Sequence, residues 1–172
     1  MLHTLGRRSA PVDLVGLLLE CHQRIRTFAR LAAEVGQRSD LPEADVIDAC
    51  QRCARYFAEA LPLHVADEEK SLMPRLQGMS EEVTEALRTM HTQHEEHAPL
   101  LHALLASLGN VQREPSSQVH RESLRVTADK LVSEFEKHLA REEEILFPVI
   151  RSTLTEDAQA QVIQELRARR QV

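Results

Sequence analysis

The chain has 172 residues and a mass of 19.5 kDa, the size of a single domain with a full hydrophobic core. Hydrophobic residues make up 42% of it and charged residues 28%, which excludes a wholly disordered chain and a membrane channel. The formal net charge of −6 disfavours a phosphate backbone as partner, so we expect no nucleic-acid binding. Only five glycines and seven prolines are present, too few for the turns of a sandwich or barrel, so the composition favours helices.

The sequence also bears on where the protein works. No apolar run approaches the roughly 20 residues that a membrane-spanning helix needs, and the first residues contain no apolar stretch of signal-peptide length. Three cysteines, an odd number, argue against the paired disulfides of a secreted protein. We therefore expect a cytoplasmic protein with no membrane partner.

Apolar residues recur at helical spacing through almost the whole chain. A first helix is predicted over about 12–35 and a second over about 44–76, after a break in which Pro42 suits a first helical turn. Ser80 is the predicted N-cap of a third helix that ends near Leu108, because Gly109 and Asn110 are typical of a helix C-terminus. A loop over 112–117 precedes the fourth helix, and a short fifth helix follows over about 155–170.

Three prolines fall late in the second and fourth predicted helices. A proline inside a helix removes one backbone hydrogen bond and clashes with the preceding turn, at a cost of about 3 kcal/mol. Pro62 therefore predicts a kink just before His64, whereas Pro74 and Pro148 predict helix ends. The whole pattern predicts one all-α domain over 1–172: an antiparallel up-down four-helix bundle, with its core at about 14–150, plus the short C-terminal helix.

The second and fourth predicted helices share a sequence pattern. The segment HVADEEKSLMPRL that begins at His64 recurs 74 residues later as HLAREEEILFPVI, which begins at His138. The shared pattern is H-x-A-x-E-E-x-x-L-x-P-x-[LI], so the chain consists of two copies of a helical hairpin. The first helix of each copy also offers a histidine, which is His22 in the first copy and His94 or a neighbour in the second.

Each copy places an imidazole and a carboxylate four residues apart, one above the other on a helix face. Glu68 and Glu142 lie on faces that are otherwise apolar, where an unpaired carboxylate would cost several kcal/mol. Two such helices, with a histidine from each remaining helix, would surround a point with four nitrogens and two carboxylates. Such a ligand set suits a pair of iron or manganese ions, and zinc is also compatible.

The third predicted helix carries His91, His94 and His97 at intervals of three residues. Its apolar face can be drawn in two registers. His94 lies on the face in both of them, whereas His91 and His97 each belong to one. We therefore interpret His94 as the ligand and keep His97 and His91 as possible extra ligands.

The doubled motif resembles that of the hemerythrin-like, or HHE cation-binding, domains over about 14–150. The resemblance implies a four-helix bundle with a non-heme di-iron centre, oxo- or hydroxo-bridged, in which Glu68 and Glu142 also bridge the irons. The implied metal ligands are His22, His64, Glu68, His94, His138 and Glu142. Oxygen-carrying hemerythrins have His-x-x-x-His on the third helix, and the different spacing here disfavours reversible oxygen transport.

The expected function is to bind or sense a small diatomic ligand, oxygen or nitric oxide, at an open iron position. A binding protein is favoured over an enzyme, although an enzyme that consumes peroxide or nitric oxide is an alternative. A helical iron-sensing or interaction module, stapled by its metal, is another. Ferritin-like oxidases use Glu-x-x-His, a pattern that these 172 residues do not contain.

Polar residues outside the motif have structural interpretations. Glu69 and Glu143 follow the two motif carboxylates, and we expect them to face solvent rather than to orient a ligand. Cys50 and Cys53 lack the second cysteine pair of a zinc site, which favours two small buried residues. Three arginines are expected to complement the C-terminal end of the last helix: Arg167, Arg169 and Arg170. Three histidines are expected at the surface or in packing contacts: His3, His102 and His120.

Overall fold

A computed structural model describes residues 13–171 of the chain, and within them it contains five helices. Helix α1 is Leu14–Gln37, α3 is Glu81–Arg113 and α5 is Glu156–Arg169. Helix α2 is continuous over 43–76, and α4 is continuous over 118–153. Helices α1 and α3 each contact both α2 and α4, so the four long helices form a ring and the predicted all-α bundle is confirmed.

The ends of the helices test the signals read from the sequence. The Ser80 hydroxyl accepts a hydrogen bond from the Val83 N–H at 3.1 Å, which confirms the predicted N-cap. The prediction that α3 ends near Leu108 was wrong, because the helix continues through Gly109 and Asn110. Leu108 and Val111 are both fully buried, so packing against the other helices outweighs the local signal for a helix end.

Three turns of α2 and α4 are π-helical, with one residue more than an α-helical turn: Tyr56–Ala60, Glu68–Leu72 and Glu142–Leu146. A single residue separates the end of each π turn from a proline: Pro62, Pro74 and Pro148. A proline cannot donate the backbone hydrogen bond of a regular turn, and its ring needs space. A wider turn before the proline accommodates both effects without ending the helix.

These π turns explain the outcome of the proline predictions. The prediction that Pro148 ends the fourth helix was wrong, because α4 continues through it to Thr153. Pro74 does lie near the end of α2, whose last residue is Leu76. The kink expected just before His64 stays a prediction, and the π turn Tyr56–Ala60 precedes Pro62 in this part of the helix.

The apolar core is divided into two clusters along the bundle. One cluster contains buried residues such as Ile25, Phe57, Leu104 and Leu131. The other contains Leu14, Leu76, Leu87 and Ile150 from the same four helices, together with Val162 and Leu166 from α5. In every long helix a short stretch separates the two clusters. These stretches carry His22, His64 and Glu68, His94, and Glu142, and His138 lies just before the stretch in α4.

Helix α5 packs against α2 through buried polar contacts. The carboxylate of Asp67 is completely buried and accepts hydrogen bonds from Arg169 at 2.7 Å and from Arg170 at 2.6 Å. Arg170 also donates to the Leu166 carbonyl, as expected of a basic residue at a helix end. Arg169 and Arg170 thus bind a buried carboxylate in addition to the end-of-helix role expected from the sequence. Arg167, by contrast, is exposed.

Two histidines outside the motif lie at or near the surface of the bundle. His102 is exposed and His120 lies 3.3 Å from Glu114, both as expected, whereas His3 lies outside the described residues. None of the helices described within 13–171 is long and apolar enough to cross a membrane.

Candidate metal centre

Six side chains from the four long helices meet between the two apolar clusters. Four of them form one group, with a potential ligand atom of each residue lying within 4.8 Å of the others: His22, His64, Glu68 and Glu142. A second group meets the same criterion: Glu68, His94, His138 and Glu142. The structure thus brings together all six residues predicted as metal ligands, and both carboxylates belong to both groups.

The carboxylate of Glu68 divides its oxygens between the two groups. Its Oε1 lies 3.1 Å from His64 Nε2 and 3.8 Å from His22 Nε2. Its Oε2 lies 3.3 Å from Nε2 of His94, in the other group.

The carboxylate of Glu142 does the same. Its Oε2 lies 3.2 Å from Nε2 of His22, and its Oε1 lies 3.2 Å from Nε2 of His138. Each carboxylate therefore presents one oxygen to each pair of histidines.

Buried polar atoms without partners are concentrated in this cluster. Both oxygens of Glu68 and of Glu142, both ring nitrogens of His64, and Nε2 of His22 and His94 are buried without a hydrogen bond. Within residues 13–171 no other buried side-chain nitrogen or oxygen lacks a partner. Native proteins satisfy nearly all such atoms, so this donor set fits metal cations.

The two carboxylates compete for positive charge in the metal-free protein. Burial and, to a smaller extent, repulsion from Glu68 raise the pKa of Glu142 to about 7, although the contact with His22 acts to lower it. Burial acts on Glu68 as well, but the neighbouring histidines, His64 above all, hold its pKa well below the usual range. One carboxylate keeps its charge at the expense of the other, and a cation between them would remove this conflict.

The histidines differ in the same way. Burial disfavours the imidazolium of His22, but its contacts with Glu142 and Glu68 outweigh burial and raise its pKa to about 9. For His138 burial dominates and lowers the pKa to about 3, which leaves the neutral ring that metals bind. A metal that binds His22 must therefore displace a proton.

The carboxylates that follow the motif glutamates hold two of these histidines from the far side of the ring. His22 Nδ1 donates to Glu143 Oε1 at 2.8 Å, and His94 Nδ1 donates to Glu69 Oε1 at 2.9 Å. The prediction that Glu69 and Glu143 face solvent was therefore wrong. Each side chain is long enough to reach from its own helix to a histidine on the neighbouring one, where the ring N–H needs an acceptor.

Two further residues take part, although sequence reasoning did not single them out. His138 Nδ1 donates to Gln93 Oε1 at 2.9 Å. Arg26 donates to Glu143 at 2.8 Å and so balances the charge of the carboxylate that holds His22. Neither has a counterpart in the other repeat: counted from the equivalent histidines His22 and His94, the corresponding positions hold Cys21 and Ala98, so the repeat offered no signal for them.

The possible extra ligands lie elsewhere. His91 is half exposed, and its Nδ1 donates to Glu69 at 3.0 Å, so this residue supports the carboxylate that holds His94. His97 is buried, but it is a member of neither group among the described residues. Its ring packs edge-to-face against His138 and Phe135, with 5.2 Å between ring centroids in each pair.

The two cysteines of the Cys-x-x-Cys pattern are inert core residues. Cys50 and Cys53 are completely buried, as predicted from the sequence, and the Cys53 thiol contacts the Phe28 carbonyl at 3.6 Å. Burial raises the pKa of Cys50 to about 11 and that of Cys53 to about 12. Both thiols therefore stay protonated at neutral pH.

A small cavity of about 30 Å³ adjoins the cluster. Histidines from both groups line it, namely His64, His94 and His138, and His97 is a fourth. The rest of its lining is apolar. The volume is sufficient for a molecule about as large as one or two waters.

Comparison with known proteins agrees with this geometry. The family model described as "Hemerythrin HHE cation binding domain" matches the chain twice, over residues 13–120 and 89–171. The chain belongs to this family. The hemerythrin resemblance read from the doubled His-x-x-x-Glu is thereby confirmed, and membership in a cation-binding family agrees with the six-residue cluster.

This hemerythrin domain is also similar to an uncharacterized protein of Haemophilus influenzae. The two sequences are 25% identical over 166 residues, which cover 92% of this chain and 90% of that protein. The similarity thus extends over nearly the whole length of both chains.

Proposed function

We propose that this hemerythrin domain holds two iron ions, with Glu68 and Glu142 as bridging ligands. The observation that carries the proposal is the division of the four carboxylate oxygens between two pairs of histidines. One ion would take His22 and His64, and the other would take His94 and His138. Nitrogen and oxygen ligands without thiolates favour iron or manganese over softer metals.

Each ion would then have four protein ligands, and iron accepts six, so positions stay open for a small molecule. We propose that oxygen or nitric oxide binds there, in the cavity lined by histidines of both groups. The small volume and the apolar lining favour a diatomic ligand over a larger substrate. When bound, the metal pair would supply redox-active Lewis acids at this cavity.

The protein's own residues would prepare the site for that ligand. Glu143, Glu69 and Gln93 fix the orientation of three histidine rings through their Nδ1 atoms. The two apolar clusters on either side limit access of water. Such a rigid, dry surrounding is what selective binding of a small ligand requires.

Metal content tests the first part of the proposal. Protein expressed with added iron and purified without chelator should contain two irons per chain by elemental analysis. The double variant Glu68→Ala/Glu142→Ala should contain none, because each ion would lose two ligands. The matched control is Glu144→Ala, an exposed glutamate in the same π turn as Glu142, which should keep both irons. A double variant that still holds two irons would contradict the bridging assignment.

Ligand titration tests the second part. The reduced, iron-loaded protein should change its absorption spectrum on anaerobic addition of nitric oxide, or on addition of oxygen. Saturation at a fixed ratio of ligand to iron pairs would indicate binding at one kind of site. A di-iron protein whose spectrum responds to neither gas would contradict the proposal while leaving the metal centre intact.

A further inference from the structure

His97 is a buried histidine beside the candidate metal centre, but it is not one of the candidate metal ligands. It lies on α3, one helical turn from His94, and only 4% of its surface is exposed. It lines the small cavity together with His64, His94 and His138. Because it belongs to neither group of potential metal ligands, its position calls for another explanation.

The hydrogen bonds of the neighbouring histidines show what is unusual about His97. His94 donates from Nδ1 to Glu69, and His138 donates from Nδ1 to Gln93. The ring of His97 has no hydrogen-bond partner among residues 13–171, although an imidazole carries at least one N–H in either protonation state. The His97 nitrogens are not among the fully buried atoms that lack a partner, so an N–H of this ring stays accessible and is free to donate to a molecule that enters the cavity.

The packing around His97 fixes the plane of its ring. Phe135 and His138 contact it at interplanar angles of 86° and 87°, each with 5.2 Å between ring centroids. An aromatic ring held edge-to-face on two sides has little freedom to turn away. The ring therefore keeps its place in the cavity lining and costs little further ordering when a ligand arrives.

We propose that His97 donates a hydrogen bond to the outer atom of the small ligand in the cavity, and so determines which ligands the centre prefers. The inference rests on the proposed function, since it requires a ligand beside the metal ions. A donor at this position favours small anions and polarised diatomic molecules, whose outer atom accepts a hydrogen bond. Apolar molecules of the same size gain nothing from it.

Azide is a suitable probe, because it is a small anion that accepts hydrogen bonds and has an infrared stretching band. Two variants separate the roles of the residue: His97→Phe removes the donor and keeps a planar ring, whereas His97→Gln keeps an N–H. The matched control is His102→Gln, an exposed histidine on the same helix. Iron content and the azide dissociation constant of the oxidised protein would be measured for the wild type and all three variants.

The expected result is full iron content in every variant. His97→Phe should weaken azide binding by about tenfold, the effect of one lost hydrogen bond, and should shift the azide stretching band. His97→Gln should recover part of both effects, and His102→Gln should match the wild type. The shift of the band is the readout that a merely structural role of His97 would not produce.

Three results would overturn the inference, and they differ from one another. If wild-type, iron-loaded protein binds neither azide nor the two gases, the proposed function fails and the inference fails with it. If the wild type binds azide and His97→Phe binds it with the same affinity and the same stretching band, only the inference fails. If both His97 variants lose iron, His97 is a metal ligand instead of a donor to the bound molecule.

Discussion

Glu143 accepts a hydrogen bond from Nδ1 of His22 at 2.8 Å, so a residue of the second sequence repeat orients a histidine of the first. The reverse contact also exists, because Glu69 of the first repeat accepts from His94 of the second at 2.9 Å. The two hairpins are thus joined at the cluster by more than the shared carboxylates. Each hairpin supplies both a histidine and the acceptor that holds the other hairpin's histidine.

This exchange predicts that Glu143 contributes to metal affinity without touching the metal. Glu143→Gln removes a charged acceptor that fixes the His22 ring and makes that ring a stronger ligand. Loss of such a contact typically weakens metal binding by about 10- to 100-fold. The measurement is iron retention during titration with a chelator. Glu144→Gln, an exposed change next to it, serves as the control and should retain iron like the wild type. Equal retention by both variants would show that the hydrogen bond to His22 does not matter for affinity.

Four of the six cluster residues could be predicted because the two copies of the repeated motif agree with each other. His64 and Glu68 recur as His138 and Glu142 at the same spacing and on equally apolar faces. The π turns Glu68–Leu72 and Glu142–Leu146 show that the repeat extends to the backbone. A His-x-x-x-Glu pattern that occurs twice, each time on an apolar helix face, supports a metal site far more strongly than a single occurrence.

The surrounding contacts could not be predicted in the same way. Gln93 and Arg26 occur once, and what they touch depends on how neighbouring helices are rotated, which the sequence pattern does not specify. Glu69 and Glu143 do recur, but helical periodicity directs adjacent residues to different faces and so indicated solvent. A glutamate side chain is long enough to reach the next helix, and both residues therefore bind a histidine there instead of facing solvent. The path of α3 beyond Gly109 likewise depends on burial of Val111 against other helices.

Metal affinity should rise with pH from about 6.5 to 9. In the metal-free protein the pKa of Glu142 is about 7 and that of His22 is about 9, so both groups bind protons near neutrality. A metal ion must displace these protons, and raising the pH removes them beforehand. Competition with a chelator of known pH dependence, at several pH values, should give a steadily tighter apparent constant. Release of protons on metal addition to weakly buffered protein at pH 7.5 is the second readout. An affinity that does not change with pH would contradict this assignment of protons.

The contact between Asp67 and the last helix predicts that removing its two arginine partners lowers the stability of the protein strongly. Asp67 is completely buried and its partners are Arg169 and Arg170. The double variant Arg169→Ala/Arg170→Ala leaves a buried charge unpaired, which typically costs about 3–5 kcal/mol of unfolding free energy. Urea denaturation would measure it. Arg167→Ala, at an exposed arginine of the same helix, should change the free energy by less than about 0.5 kcal/mol.

The effect of the unpaired Asp67 charge on stability can be distinguished from the effect of lost side-chain packing. Adding Asp67→Asn to the double variant removes the unpaired charge, so the triple variant should be more stable than the double one. The opposite order would show that the arginines stabilise the protein through their side-chain packing and not through Asp67. Because Asp67 directly precedes Glu68, the double variant should also retain less iron than Arg167→Ala.

Gly36 and Gly109 are both helical glycines, and the structure predicts opposite effects of replacing them by alanine. A Cβ on Gly36 would lie 2.6 Å from the backbone nitrogen of Arg125 on α4, and neither backbone can move without separating α1 from α4. Gly36→Ala should therefore destabilise the protein by about 1–3 kcal/mol, as overpacking of a core does. At Gly109 the nearest atom is the flexible end of Arg113 at 3.7 Å, which leaves room for a methyl group. Since alanine favours a helix by about 0.5–1 kcal/mol over glycine, Gly109→Ala should stabilise the protein. Thermal denaturation of the two variants side by side would test the close approach of α1 and α4, and a stabilising Gly36→Ala would contradict it.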